Sequence, residues 1–428
     1  FELTNAQKRA VSECIKDIKS RFSMNRLLQG DVGSGKTAVS ASLAYTMAKN
    51  GFQSAVMVPT ETLAVQHYRT FSKFFENTEI KVEVLHSSMR AKEKRRVLQD
   101  ISLGFADIVI GTHSLISEGV CFKNLGLAIT DEQHRFGVNQ RAKISEKGNY
   151  PHVLVMSATP IPRTLAMILY GDLDISVLDE SIPGRQKVDT FRIDSSKRFR
   201  AWNFVKKIID EGGQAYVVCA CIEENENDIA DVNTYREDMI KNGFSEKDIA
   251  VLHGKMTTAE KEFIMSEFTE NKIKVLVSTT VIEVGIDVPN AQIILIENAE
   301  RFGISQLHQL RGRVGRNSKK SYCVLVSDAK GVDAQKRFSA LVGSGDGFYL
   351  SGEDLKIRGP GDFFGTNQHG VPNIGIPTSY EDVIIMKQAQ TAAENLIKTN
   401  PEMEGQEFKF IKHNIEKTFT KNDENQRI

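Results

Sequence analysis

The sequence carries no excess charge of either sign, since 55 Lys and Arg balance 55 Asp and Glu over 428 residues. No net positive field therefore advertises a nucleic-acid partner, and any such contact has to come from local patches. Cysteine is scarce. The five that occur (Cys14, Cys121, Cys219, Cys221 and Cys323) form no CxxC pair and have no nearby histidines at ligand spacing, which argues against a zinc site. They read as buried thiols in a reducing cytosol. Long hydrophobic runs are missing as well. The longest, Ala215 to Ile222, is far too short to span a bilayer, and no basic-then-apolar leader opens the chain. A cytoplasmic protein with no membrane partner is expected. There is no repeat of fixed period and no low-complexity tract, so any two domains should resemble each other only in fold.

What is present is the composition of a folded protein, with 40% hydrophobic and 26% charged residues. The length exceeds what one core usually supports, so two or more domains are expected. The chain starts at Phe1 and enters at once on a motif-like stretch, which suggests a piece of a longer polypeptide. Short runs rich in β-branched residues alternate with longer amphipathic stretches: Ala55 to Val58, Val82 to Leu85, Asp107 to Ile110, Leu125 to Thr130 and Val153 to Met156. That rhythm predicts βαβ units and a parallel sheet. It breaks at Pro183-Gly184. A second series follows at Ala215 to Ile222, Ile249 to Leu252, Val275 to Ser278, Gln292 to Ile296 and Tyr322 to Ser327, so a boundary between two α/β domains is placed between Asp179 and Asp189. After about Ser327 the chain turns to Gly-rich loops and then to a charged helical end whose last residues, Lys421 to Ile428, should fray.

Gly30-Asp31-Val32-Gly33-Ser34-Gly35-Lys36-Thr37 fits the phosphate-loop pattern GxxxxGK[ST]. It follows the apolar Leu27-Leu28 and precedes the helix-forming Ala38 to Ala48. Glycines let backbone N–H groups curl around phosphate oxygens at a helix N-terminus, Lys36 neutralises β/γ charge, and Thr37 reaches the metal. Leu125 to Thr130 ends in Asp131-Glu132, which places two carboxylates at the C-terminal tip of a buried strand, where ligands sit in open α/β sheets. Asp131 is expected to hold Mg²⁺ and Glu132 to polarise water. Taken alone, the pair would more often be surface charge; the phosphate loop reverses that preference.

Gln306 to Arg316 spaces arginines on a glycine-opened segment of the second domain, suited to reaching γ-phosphate oxygens across a cleft. Arg313 and Arg316 are the candidates. A basic loop that binds phosphate backbone without touching the nucleotide is the alternative, and for Arg311 the two readings weigh about equally.

In this order the motifs resemble those of superfamily 2 helicases and translocases from Phe1 to about Arg316. Leu3-Thr4 with Gln7 is similar to the adenine-contacting start, Pro59 to Leu63 to motif Ia, Gly111-Thr112-His113 to motif Ib, and Ser157-Ala158-Thr159 to motif III. Ser278-Thr279-Thr280 with Glu283-Val284-Gly285-Ile286-Asp287 resembles motif V, so Gly285 and Asp287 are expected at the nucleotide, and Gly285 permits close backbone approach. More narrowly, Asp131 to Gly137, Ser157 to Thr164, Arg301 to Leu310 and Leu355 to Gly370 resemble the RecG family of bacterial DNA helicases. In that family the last stretch is a translocation hairpin and loop, and Arg358 and Gln368 match its key positions. Asn367 stands where many relatives carry a basic residue, and the wedge domain that recognises branched DNA is not in this sequence.

The resemblance implies two tandem RecA-like parallel-sheet domains with a small C-terminal helical-hairpin and loop appendage, over residues 1–185, 186–335 and 336–428. It implies Mg-ATP held by Gln7, Gly30, Gly33, Ser34, Gly35, Lys36, Thr37 and Asp131, with Lys36, Glu132, Arg313 and Arg316 catalytic. Duplex and branched DNA would be gripped at phosphates by Thr60, Thr112, His253-Gly254-Lys255 and Thr279, independently of sequence, and replication-fork proteins would be partners. Two rivals stay open: the translocase core of transcription-repair coupling factor, and a non-catalytic DNA-binding module that uses ATP only as a conformational ligand.

Overall fold

The computed structural model describes residues 2–132, 143–144, 146–158, 173–180, 182, 186–220, 226–279, 288–317, 319–358 and 380–415. It opens with α1 (Asn5–Ile18), started by a capping box in which Thr4 and Gln7 satisfy each other's backbone N–H groups. Next come β1 (Asn25–Gly30), α2 (Lys36–Lys49), β2 (Gln53–Met57), α3 (Glu61–Phe75), β3 (Val82–Leu85), α4 (Ala91–Leu103), β4 (Ile108–Gly111), β5 (Leu125–Thr130), β6 (His152–Ser157) and β7 (Asp174–Leu178). Among the described residues the strands order as β3-β4-β2-β5-β6-β1-β7, and all their pairings are parallel. A parallel sheet covered on both faces needs strands that are apolar throughout. Accordingly β2, β4 and β5 are buried along their whole length. One core, with Leu28, Val56, Phe71, Ile110 and Ile129, covers one face; a second, with Met57, Leu85, Val109, Leu115 and Ala128, covers the other. Each such side chain stabilises by roughly 1.5–3 kcal/mol.

The second sheet begins at β8 (Val188–Ile193) and continues through α5 (Arg198–Asp210), β9 (Gln214–Val218), α6 (Glu226–Lys241), β10 (Ile249–Leu252), α7 (Thr258–Thr269), β11 (Val275–Ser278), β12 (Ala291–Ile296), α8 (Ile304–Arg311), β13 (Ser321–Val326), α9 (Val332–Gly343) and α10 (Gly347–Arg358). Its described strands order as β10-β11-β9-β12-β13-β8, again in parallel pairs. Its core holds Trp202, Val217, Phe244, Val277 and Leu295. Both sheets lie in one compact unit, Phe1–Pro160 with Leu173–Glu353, while Asp354–Ile428 belongs to a second unit whose described part is chiefly α11 (Tyr380–Thr399).

The two parallel-sheet α/β domains expected from the rhythm, RecA-like by the resemblance, are therefore present. Two edge strands went unread. β7 and β8 are partly exposed and carry Asp174, Asp189 and Arg192, so neither forms an apolar run. The expectation that the halves share only a fold was too narrow. In β2, Gln53 Nε2 donates to Ile101 O (3.0 Å) and Ala106 O (2.8 Å); in β9, Gln214 Nε2 donates to Phe268 O (2.5 Å) and Ile273 O (2.7 Å). Both glutamines staple the end of a helix and the turn that follows it to the next strand. Thr112 and Thr279 follow the matching strands β4 and β11, and the Asp131 and Glu297 N–H groups bond Met57 O and Val218 O in the same way. The cysteine reading also changes in one place. Cys14, Cys219 and Cys323 are buried, but Cys121 is exposed. Burial pushes the Cys14 and Cys323 thiols up to about 12.

Candidate functional site

The phosphate loop joins β1 to α2 in the strand, loop and helix order expected of it. Gly33 and Gly35 hold φ of 75° and 83°, a region that side chains rarely adopt. A Cβ on Gly35 would also stand 2.2 Å from Gln7 Nε2, and one on Gly30 would stand 2.5 Å from Ser34 Oγ. Lys36 opens α2 and its Nζ donates to Gly30 O (2.8 Å) and Asp31 O (3.0 Å), so the loop folds around its own ammonium group. Ser34 Oγ is buried and has no hydrogen-bond partner among the described residues. Gln7 is tied to the loop: its Nε2 donates to Ser34 O (2.9 Å) and its Oε1 accepts from Thr4 N (2.9 Å). Thr37 sits half-buried in the first turn of α2. Glycine torsions, a helix N-terminus, an ammonium group and an orphaned hydroxyl together make an anion cradle.

Beside this cradle, β5 delivers Asp131 at the C-terminal tip of the sheet. His67 Nε2, from α3, lies 3.1 Å from Asp131 Oδ2. Burial opposes ionisation of this carboxyl. The hydrogen bond and charge of His67, the charge of Lys36 and the Glu132 N–H outweigh it and hold the group below the usual carboxylate range. The charge of Lys36 thus reaches Asp131, and an ionised carboxylate and a threonine hydroxyl are the kind of hard oxygen donors that suit Mg²⁺. Glu132 follows with φ of 53°, a strained backbone for a non-glycine residue. Its N–H donates to Asp131 Oδ1 at 2.9 Å.

From the second sheet, α8 and the turn after it reach the phosphate loop. A Cβ on Gly312 would stand 3.0 Å from Val32 Cβ, so a larger residue there would have to push Val32 back by a few tenths of an ångström. His308 Nε2 lies 2.6 Å from Asp31 Oδ1. Arg313 is 4% exposed, and Arg316 Nε donates to Gly312 O (3.3 Å), so both arginines belong to the turn that Gly312 presses onto the loop. Arg311 is different. It is buried, donates to Leu341 O (2.7 Å), Ser344 O (2.8 Å) and His308 Nδ1 (2.7 Å), and so anchors α8 rather than meeting a phosphate backbone, as one of its two readings held.

Thr60 caps α3 and accepts from Leu63 N. Thr112 and Thr279 are buried at equivalent strand tips, and His253-Gly254-Lys255 follows β10. The first-sheet counterpart of that loop is His86-Ser87-Ser88, which is knitted to Glu61: Ser87 N (3.0 Å), Ser87 Oγ and Ser88 Oγ donate to its carboxylate, and His86 Nδ1 lies 3.1 Å away. Gly285, Asp287 and Gln368 lie outside the described residues. Arg358 ends α10, and its side chain also lies outside them. Sequence reasoning missed His67, Asp31, His308 and Glu61 as site residues. Each matters only through a partner distant in the chain; Asp31, Glu61 and His308 lay within recognised patterns, His67 outside them, and none was singled out there.

Two RecA-like sheets, with a phosphate loop and acidic tip in the first and an arginine-bearing turn from the second laid against that loop, define the core of a DEAD/DEAH-type helicase. The DEAD/DEAH box helicase model matches residues 4–168, the helicase conserved C-terminal domain residues 200–318, and the C-terminal part of domain 3 of ATP-dependent DNA helicase RecG residues 344–426. Along nearly its whole length the chain is similar to members of the RecG family. It is 46% identical to ATP-dependent DNA helicase RecG of Synechocystis sp., over 94% of this chain and 49% of that protein. It is 44% identical to the Bacillus subtilis RecG, over 98% of this chain and 61% of that protein. A solved structure of RecG bound to a three-way DNA junction superposes with a TM-score of 0.77 at 43% identity, over 91% of this chain and 50% of that one. The chain thus spans 49% to 61% of the length of these two curated relatives. Among the described residues no helix is long and apolar enough to cross a membrane.

Proposed function

We propose that this chain hydrolyses ATP and uses the resulting opening and closing of its two sheets to move on duplex DNA and remodel branched DNA, such as stalled forks and Holliday junctions, in recombination and repair. The observation that carries the reading is the seating of the arginine-bearing turn on the phosphate loop through Gly312 and Val32. A nucleotide bound there touches both sheets, so its arrival and hydrolysis change how they fit.

In this reading Gln7 selects adenine, and Gly30, Gly33, Ser34 and Gly35 present N–H groups and the Ser34 hydroxyl to the phosphates. Lys36 neutralises β/γ charge, Thr37 and Asp131 hold Mg²⁺, and Gly285 and Asp287 complete the nucleotide contacts. The metal, when bound, offsets charge on the phosphate oxygens. Glu132 orients the attacking water, while Arg313 and Arg316 stabilise charge that develops in the transition state. Thr60, Thr112 and Thr279 mark the DNA track at strand tips, and Arg358 and Gln368 belong to the element that pulls on duplex. Residues 1–185 and 186–335 serve as the two motor domains, and 336–428 as the translocation appendage. A DNA substrate sets the work in the cytoplasm, with replication-fork proteins as partners. The match of residues 344–426 to a RecG-specific domain favours this reading over a coupling-factor core.

The two ends of the site should fail differently. Lys36→Ala is expected to weaken nucleotide binding by tenfold or more, whereas Arg316→Ala should bind nucleotide normally and lose DNA-stimulated hydrolysis, an effect on the order of 10³-fold for a lost arginine finger. Full ATPase activity in the arginine variant would overturn its assignment.

A further inference from the structure

The phosphate loop contains a residue that works against its own purpose. Asp31 places a carboxylate in a loop built to hold the negative charge of phosphates, where like charges repel. Its Oδ1 accepts from Val32 N (2.6 Å) and faces His308 Nε2 at 2.6 Å, and His308 comes from α8 of the second sheet. The ring's other nitrogen, Nδ1, lies 2.7 Å from Arg311 Nη2. An arginine can only donate, so Nδ1 accepts, and a neutral imidazole then carries its proton on Nε2, which donates to Asp31. Arg311 is itself fixed by Leu341 O and Ser344 O. A relay therefore runs from α9 through Arg311 and His308 to the phosphate loop, and just past the end of α8 the chain reaches Gly312, Arg313 and Arg316.

We propose that His308 is a positioning residue for hydrolysis: through Asp31 it sets the register between the phosphate loop and the arginine turn. This rests on the ATP-hydrolysing reading and adds to it the device by which the loop reports its state to the second sheet. Asp31 lies at the mouth of the loop and lines a cleft together with His308, Arg311 and Gly312. A triphosphate entering the loop meets the Asp31 carboxylate. The carboxylate cannot withdraw without pulling on His308, and the close approach of Gly312 to Val32 brings the end of α8 along with the loop. The histidine thus converts occupancy of the loop into placement of Arg313 and Arg316.

The test is a double-mutant cycle on the full chain, read as ATP hydrolysis with saturating duplex DNA and, separately, as equilibrium binding of a fluorescent ATP analogue. His308→Ala is expected to lower kcat about tenfold, a loss near 1.4 kcal/mol, while the analogue's Kd changes less than threefold. His308→Gln, whose amide donates and accepts, should recover at least half of the lost rate. Asp31→Ala combined with His308→Ala should be no slower than the worse single variant. Losses that multiply in the double variant, an unchanged kcat in His308→Ala, or a failure of the glutamine variant to recover would overturn the relay. Hydrolysis that responds to Lys36→Ala but not to His308→Ala overturns this proposal alone; no hydrolysis by the unaltered chain overturns it together with the reading on which it rests.

Discussion

Gln53 and Gln214 hold equivalent places in the two sheets, and each amide donates two hydrogen bonds to the end of a helix and the turn that follows it. Both side chains are almost fully buried, and since Ile101 O and Phe268 O each keep a backbone donor in Gly104 N and Asn271 N, loss of the amides falls chiefly on Ala106 O and Ile273 O. Gln53→Leu and Gln214→Leu should therefore each destabilise the chain by roughly 1–3 kcal/mol, the cost of orphaned buried carbonyls. Urea unfolding checks this. A loss below about 0.5 kcal/mol in both variants, the range of ordinary surface substitutions, would show that the staples are dispensable.

Gly35 tests whether the phosphate loop is shaped by backbone as well as by charge. With φ of 83° and Gln7 Nε2 2.2 Å from a built Cβ, Gly35→Ala has to strain the loop and displace Gln7. The strain amounts to about 1–2 kcal/mol. Nucleotide affinity should fall by tenfold or more, and Gln7→Ala, which removes an adenine contact, should cost less affinity in the Gly35→Ala background than in the parent. Equilibrium binding measures both, and wild-type affinity in Gly35→Ala would contradict the geometry.

Glu61 gives a pH dependence with a fixed sign. Burial would raise its pKa, but hydrogen bonds from Ser87 and Ser88, the nearby His86 and the Ser87 N–H more than offset this and bring it to about 2, below its ordinary 4.5. A carboxyl depressed in the folded state contributes stability that is present in full above its unfolded pKa and is lost as pH falls through the folded value. Glu61→Gln should thus be less stable than the parent by roughly 1–3 kcal/mol near neutrality. The deficit should shrink between pH 4.5 and about 2. Denaturant midpoints across that window decide it, and a deficit that stays constant to the acid end would contradict the assignment.

Among the described cysteines only Cys121 is exposed, while burial holds Cys14 and Cys323 up to about 12. A maleimide at pH 7 is expected to label Cys121 within minutes and to leave Cys14 and Cys323 untouched until the chain unfolds. Peptide mass spectrometry reads the sites directly. Early labelling of Cys14 or Cys323 would contradict the packing.

Much of this was legible because buried parallel strands must be apolar throughout and a phosphate loop must contain glycine. Leu125 to Thr130 and the Gly30 to Thr37 pattern therefore announced themselves, along with the acidic pair that follows β5. The edge strands β7 and β8 were hidden because half of each faces outward and carries charge. His67 and His308 were hidden for another reason. Their meaning lies in Asp131 and Asp31, and no local spacing encodes which helix a strand tip or loop will meet. Arg311 shows the converse: its motif suggested phosphate, and its burial makes it an anchor.

The most direct test of the central claim is the rate of phosphate release from ATP by the full chain, measured without DNA, with linear duplex and with a three-way junction, alongside Lys36→Ala. Release that DNA accelerates by tenfold or more, and that Lys36→Ala abolishes in every condition, is the expected result. Release indifferent to DNA, or undiminished in Lys36→Ala, would contradict a DNA motor driven from this phosphate loop.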